Sequence, residues 1–447
     1  MHTESPRRII NAFDAASIVT GSMIGSGVFL LAGYAASPVS GGVSFMLAWV
    51  FGGLMALWGT ATTAELATKF PHTGGDFLYL RRVYGRYPAF LYGWMSLAIF
   101  QSGSIGILAV FSARYALEII PFLKSADTSA ESLASFIIVF YTLLHSLRVT
   151  VGARFQSVLT LLKAVGILLL GYVLFTATGE VKPGAGSPFE PASPMGGFAR
   201  ALVPIFFAYS GWNAVGYVAG EVKNPGRALP IAFIAGTVTT LVLYLFVNGA
   251  FLSAMGIDAM RGDPMVPLSA LRSVSTRGWE LFLTALIFVS VFSSLSVAVQ
   301  VGARVVQSMG EHGVFFKKVA HVQPTLGTPV VALVLQGVWS IVLIHLLDLE
   351  KLVDSTTVVM VLFSALTIST VFRARKMEEI DTKHKRDRFQ TPAYPWIPIA
   401  YIISCLFISV GVIQFYLSQR SFLPFLGFLF VASGTVVFLI WRKVVGE

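Results

Sequence analysis

Two short stretches of the chain hold more glycine and polar side chain than the apolar runs around them. Gly21-Ser22-Met23-Ile24-Gly25-Ser26-Gly27-Val28-Phe29 places three glycines within seven residues. Each glycine costs a helix about 1 kcal/mol relative to alanine. Phe206-Phe207-Ala208-Tyr209-Ser210-Gly211-Trp212-Asn213-Ala214-Val215-Gly216 interrupts a second apolar run with Ser-Gly-Trp-Asn. Each stretch reads either as a notch for close packing through small residues or as a break whose backbone lines a cavity. Lys163 is a third candidate, a lone cation in Leu159-Thr160-Leu161-Leu162-Lys163-Ala164-Val165-Gly166. A lysine at mid-membrane is unfavourable by about 3 kcal/mol. It either snorkels to a water edge or faces a polar interior. It stands eight residues past Phe155, roughly 12 Å along a helix, about twice what its side chain spans.

These residues sit in a chain of 447, of which 55% are apolar and 12% charged, with mean hydropathy +0.76. A soluble domain carries about 25% charge, and a membrane helix needs about 20 apolar residues. The composition excludes a soluble enzyme and a disordered chain, and continuous apolar runs argue against a membrane β-barrel. Twelve spans are predicted, near 14–36, 41–66, 87–117, 132–149, 155–177, 197–220, 229–254, 280–307, 328–347, 352–373, 394–418 and 422–441. With the N-terminus inside, inner segments hold 22 of the 32 Lys and Arg, outer segments nine, and Lys163 lies in a span. That asymmetry predicts a multi-pass protein of the cell membrane with both termini cytoplasmic. The net charge of +10 then reflects orientation rather than nucleic-acid binding. Cys405 is the single cysteine, so no intrachain disulfide is possible.

The two interrupted segments are the first and sixth of twelve, each opening a five-span half. Broken helices at matching positions of two halves point to a transporter site. The outer half of span 1 would begin near Ser26-Gly27 with free N–H groups and a positive dipole end, a seat for a carboxylate. The inner half would end near Ser22-Met23-Ile24 with free carbonyls, and the outer half of span 6 near Phe207–Ser210 with more. Carbonyl ends favour an ammonium group. The ligand carrying both groups close together is an α-amino acid.

The same residues resemble a known family. Gly21–Phe29 is similar to the first-helix signature of the amino acid–polyamine–organocation superfamily of permeases. Ala64-Glu65-Leu66, Phe70-Pro71-His72-Thr73-Gly74-Gly75-Asp76-Phe77 and Tyr84-Gly85 resemble its segment after helix 2. Phe207–Asn213, Glu221-Val222-Lys223-Asn224-Pro225 and Leu229-Pro230 resemble its sixth helix, in a form close to the L-type amino acid transporters. Glu311-His312-Gly313 and Gly327-Thr328-Pro329 resemble the loop after helix 8. The resemblance implies an all-α leucine-transporter fold in one domain: two inverted five-helix repeats, about 14–177 and 197–373, with helices 1 and 6 broken, and two appended helices, about 394–441. It implies a substrate site of Met23, Ile24, Gly25, Ser26, Gly27, Phe207, Ala208, Ser210, Gly211 and Asn213. Ser26 and Gly27 would take the carboxylate, carbonyls of Met23, Phe207 and Ser210 the amine, and Phe207 would gate the pocket. Ser210 stands where the L-type branch commonly has glycine.

Sodium-independent members often carry a lysine matching Lys163, whose ammonium replaces a bound sodium ion. By this resemblance Lys163 would bond carbonyls near Ser22, and Ser293, Ser294 and Tyr244 are weaker members of the same network. The centres of spans 1, 3, 6, 8 and 10 hold no Asp or Glu, so the pocket is expected to lack a counter-ion and to take neutral L-amino acids. The expected function is sodium-independent amino acid exchange; proton-coupled uptake and cationic amino acid or polyamine antiport are the alternatives. No cofactor or metal is implied. Residues 114–131 contain no cysteine, so a disulfide-linked heavy chain is not expected, and the chain would work alone or as a homo-oligomer in the lipid bilayer. Span interiors show no Asp/Glu pair, no His-x-x-x-His and no nucleophile elbow, so an enzyme is not expected.

Overall fold

The computed structural model describes residues 8, 10–24, 27–72, 74–125, 128–147, 153–176, 194–274, 277–322, 328–378, 389–418 and 423–445. These are almost wholly helical, the one β pairing being an isolated bridge between Ile10 and Val222. In chain order the helices are α1 (Ala12–Met23), α2 (Gly27–Leu30), α3 (Ala32–Ala36), α4 (Gly42–Lys69), α5 (Gly75–Tyr84), α6 (Arg86–Met95), α7 (Gln101–Ile119), α8 (Pro121–Ser125), α9 (Ala130–Ser146) and α10 (Ala153–Thr176). There follow α11 (Pro194–Tyr209), α12 (Pro225–Met260), α13 (Val266–Ser273), α14 (Arg277–Glu311), α15 (Val330–Leu346), α16 (Leu349–Glu378), α17 (Trp396–Ser418) and α18 (Leu423–Val445). In a hydrocarbon solvent every backbone group must find its partner inside the chain, and the helix alone does this locally. Nine helical stretches among the described residues are long and apolar enough to cross a membrane, and α9 and α15 are shorter apolar helices.

Besides α12, which leaves helical geometry at Gly256 (φ +72°, ψ 163°), three apolar segments are not simple rods. The first is divided into α1, α2 and α3, with Leu31 leaving helical geometry (φ −114°, ψ 1°) between the last two. The sixth is α11 followed by a 3₁₀ stretch, Ala214–Glu221. The third runs through α6 and α7 with a π-helical turn, Ser96–Phe100, between them. Such turns recur at functional sites. Trp339 Nε1 donates to Ala98 O at 2.6 Å and Ser102 Oγ to Leu97 O at 2.6 Å, so side chains serve carbonyls of the widened turn.

α12 packs on α1, α4 and α10, while α7 lies between α9, α14 and α15. Polar contacts join helices within the apolar bulk, as Thr60 Oγ1 and Thr237 Oγ1 do at 2.9 Å. α16 is tied near both ends. Near its start Asp354 takes Arg200 of α11 and the Tyr416 hydroxyl of α17, and Glu350 takes Arg200 at 3.0 Å. Near its end Arg375 makes a two-pronged pair with Glu65 of α4 at 2.6 and 2.7 Å. Glu65 also accepts from the Thr391 N–H at 2.7 Å and its hydroxyl at 2.6 Å.

Candidate functional site

The two interruptions face each other. α1 ends at Met23, and Ile24 turns away (φ −72°, ψ 57°) after its N–H reaches Thr20 O at 2.7 Å. α11 ends at Tyr209; Ser210 N–H bonds Phe207 O at 3.0 Å, and Gly211 takes φ +96° before the 3₁₀ stretch begins. Glycine is required in both breaks. A Cβ on Gly27 would stand 2.1 Å from Ala208 Cα, so α2 rests directly on the end of α11. A Cβ on Gly211 would stand 3.0 Å from the Ser22 carbonyl, and its φ lies where only glycine is unstrained.

Side chains from α10, α12 and α14 stitch the breaks together. Tyr244 Oη donates to Met23 O at 2.5 Å and to Ala208 O at 3.1 Å. Lys163 is 4% exposed; its Nζ donates to Ser294 Oγ at 2.7 Å and to Gly21 O at 3.4 Å. The Gly21 and Met23 carbonyls near the end of α1 thus each meet a donor fixed on a neighbouring helix.

A cavity of about 160 Å³ lies beside the breaks, lined by Ser22, Phe207, Ser210, Gly211, Asn213 and Ser294, with Phe100, Gln101 and Ser104 from the third segment. A second cavity of about 430 Å³ adjoins it, lined by Glu221, Ser293 and Arg304 among others. Ser22, Ala214 and Tyr217 line both.

Of the residues expected from sequence, Phe207, Ser210, Gly211 and Asn213 line the first cavity, while Met23, Ile24, Gly27 and Ala208 are buried at the breaks. Gly25 and Ser26 lie outside the described residues. Both Ser293 and Ser294 donate to Ser290 O at 2.9 Å; Ser294 also accepts from Lys163 and lines the first cavity, while Ser293 lines the second.

One expectation is corrected. The pocket does contain a carboxyl: Asp76, in the first turn of α5, lines the cavity. Asn213 Nδ2 donates to its Oδ2 at 2.6 Å, Tyr92 Oη at 3.3 Å and Tyr217 Oη at 3.4 Å. Burial pushes this carboxyl up to about 6, against the lowering effect of the three donors. Counting acids within the spans misses it, because the short helix after span 2 carries it in from outside them. The Gly74-Gly75 pair is the available signal, since φ of +137° and +52° there turns the chain inward ahead of Asp76.

Comparison with known proteins gives the family. A family model described as amino acid permease matches residues 10–440. The serine/threonine exchanger SteT of Bacillus subtilis (strain 168) is 27% identical over 415 residues, 91% of this chain and 92% of the relative. The mouse b(0,+)-type amino acid transporter 1 is 26% identical over 448 residues, 99% and 89% of the two chains. A methylthioribose transporter of Bacillus subtilis (strain 168) is 26% identical over 460 residues, 99% and 95%.

Proposed function

This chain belongs to the amino acid permease family, and from that premise we propose that it is a sodium-independent exchanger of neutral L-amino acids working by alternating access. In this reading it is a twelve-span protein of the cell membrane with cytoplasmic termini, built as two inverted repeats with two appended helices. The substrate lies between the breaks. Its carboxylate meets the N-terminal end of α2 around Ser26 and Gly27, its amine meets carbonyls near Met23, Phe207 and Ser210, and Phe207 closes over it. No heavy chain linked by a disulfide is needed.

The observation that carries sodium independence is the Lys163 ammonium, 2.7 Å from Ser294 Oγ and 3.4 Å from Gly21 O. A fixed cation among those oxygens repels a second cation and takes up acceptors it would need. Exchange is supported by the likeness to SteT, named a serine/threonine exchanger. The likeness to a methylthioribose transporter means that relatives at this identity differ in substrate, and the site's own chemistry points to neutral amino acids. Apart from Asp76, which is already held by three donors, the cavity wall is apolar or hydroxyl- and amide-bearing. A second reading, cationic amino acids, is favoured by that same carboxyl.

The test is counterflow in liposomes. Purified protein is loaded with unlabelled alanine or serine, and labelled amino acids are supplied outside with and without sodium. Exchange of neutral amino acids at equal rates in both media is the expected result. Strict sodium dependence would remove the Lys163 argument, and preference for arginine or putrescine would replace neutral exchange by the second reading.

A further inference from the structure

Asp76 is a buried carboxyl with one oxygen crowded and the other idle. Three donors converge on Oδ2, from Asn213, Tyr92 and Tyr217. Oδ1 is buried without a hydrogen-bond partner. A carboxylate oxygen in that state has lost water and gained nothing. A buried anion is ordinarily relieved by a cation or by taking up a proton. Among the described residues no cation acts on Asp76. The titratable groups that face it are Tyr79 on α5 itself, Tyr92 on α6, Tyr217 on the 3₁₀ stretch and Tyr401 on α17. α16 contributes Phe363 and Ser364 to the same cavity. The four facing groups are phenols, uncharged at neutral pH.

We propose that Asp76 is a reversible proton-binding site on the wall of the substrate cavity, and that its charge sets how firmly the turn of residues 210–213 is held against α5. Protonation adds one O–H bond at Oδ1. The proton comes from a hydronium ion in the cavity, which is left as water, and release reverses the step; no other bond forms or breaks. Tyr217 lines both cavities and donates to Oδ2, so the larger cavity reaches up to the carboxyl's own hydrogen-bond partner. The upward displacement of the Asp76 carboxyl to about 6 places the change within reach of mild acidification. While ionised, Asp76 accepts a charge-assisted bond from Asn213, about twice as strong as a neutral one. Protonation slackens that bond, and Asn213 lies three residues from Ser210 in the turn that breaks the sixth segment. The ionised form also places a negative charge on the wall, and the protonated form removes it.

The inference rests on the transporter reading for its consequence, but proton binding is measurable without transport. Difference infrared spectra of the purified full chain, recorded between about pH 5 and pH 8, should show a protonated-carboxyl stretch that grows on acidification and is missing in Asp76→Asn. In liposomes, alanine counterflow by the unmodified protein should change by at least about threefold over that range. Asp76→Asn should flatten the profile, and Asp76→Glu should retain a displaced one. Absence of a titrating band that the substitution removes, or an unaltered profile in Asp76→Asn, overturns the proposal. Should Asp76→Asn not fold, Asp76→Glu decides alone: a displaced band supports the proposal, an unmoved one overturns it. Absence of counterflow at every pH would sink the transporter reading, while the infrared result still decides proton binding.

Discussion

An ammonium group among apolar helices is stable only where acceptors replace its water. Lys163 has a hydroxyl and a carbonyl from two other helices, so its position does not depend on reaching the membrane edge. Lys163→Ala removes both bonds and leaves Gly21 O without its ammonium donor. We expect counterflow to fall at least about tenfold, or 1.4 kcal/mol, while the yield of monodisperse protein falls far less. Equal losses would mean that the lysine serves folding alone. Tyr244 acts through the same carbonyl row, and Tyr244→Phe should lower thermal stability by about 1–2 kcal/mol, because two buried carbonyls lose a donor. That Lys163 faces the interior was legible from its depth in an apolar run. That Asp76 faces the same cavity was not, because nothing local says which helices a short connecting element will approach.

At the scale of elements, the breaks follow from composition: glycine and a Ser-Gly-Trp-Asn run weaken helices whose flanks are strongly apolar. Their facing arrangement needs the tertiary contacts of Gly27 with Ala208 and Gly211 with Ser22. Gly211→Ala combines a left-handed backbone with a 3.0 Å approach to Ser22. It should abolish counterflow and cost about 1–3 kcal/mol of stability, measured by thermal unfolding in detergent. The apolar runs located the helices because a lipid solvent leaves the backbone few other conformations. The π-helical turn at Ser96–Phe100 was not legible, since five apolar or small residues there fit an α-helix equally well.

Across the whole molecule, the charges inside the bundle are few among the described residues, and those that tie α16 are paired. Arg200 and Asp354 are 10% and 4% exposed at their side chains, whereas Glu350 is 59% exposed. Removing one partner of a buried pair costs about 3–5 kcal/mol, and removing an exposed one about 0–1 kcal/mol. Asp354→Asn should therefore lower the melting temperature clearly more than Glu350→Gln; similar losses would mean that Arg200 is held by solvent. The residues tied near the two ends of α16, Asp354 and Arg375, stand 21 positions apart in sequence, about 32 Å along the helix. One clasp moors it to α11 and α17, the other to α4. A beam fastened at both rims to different neighbours can let go at one while the other stays made fast. If the rims part in turn, no through-going leak opens during the cycle, and a carrier can move its cargo without discharging the gradients around it.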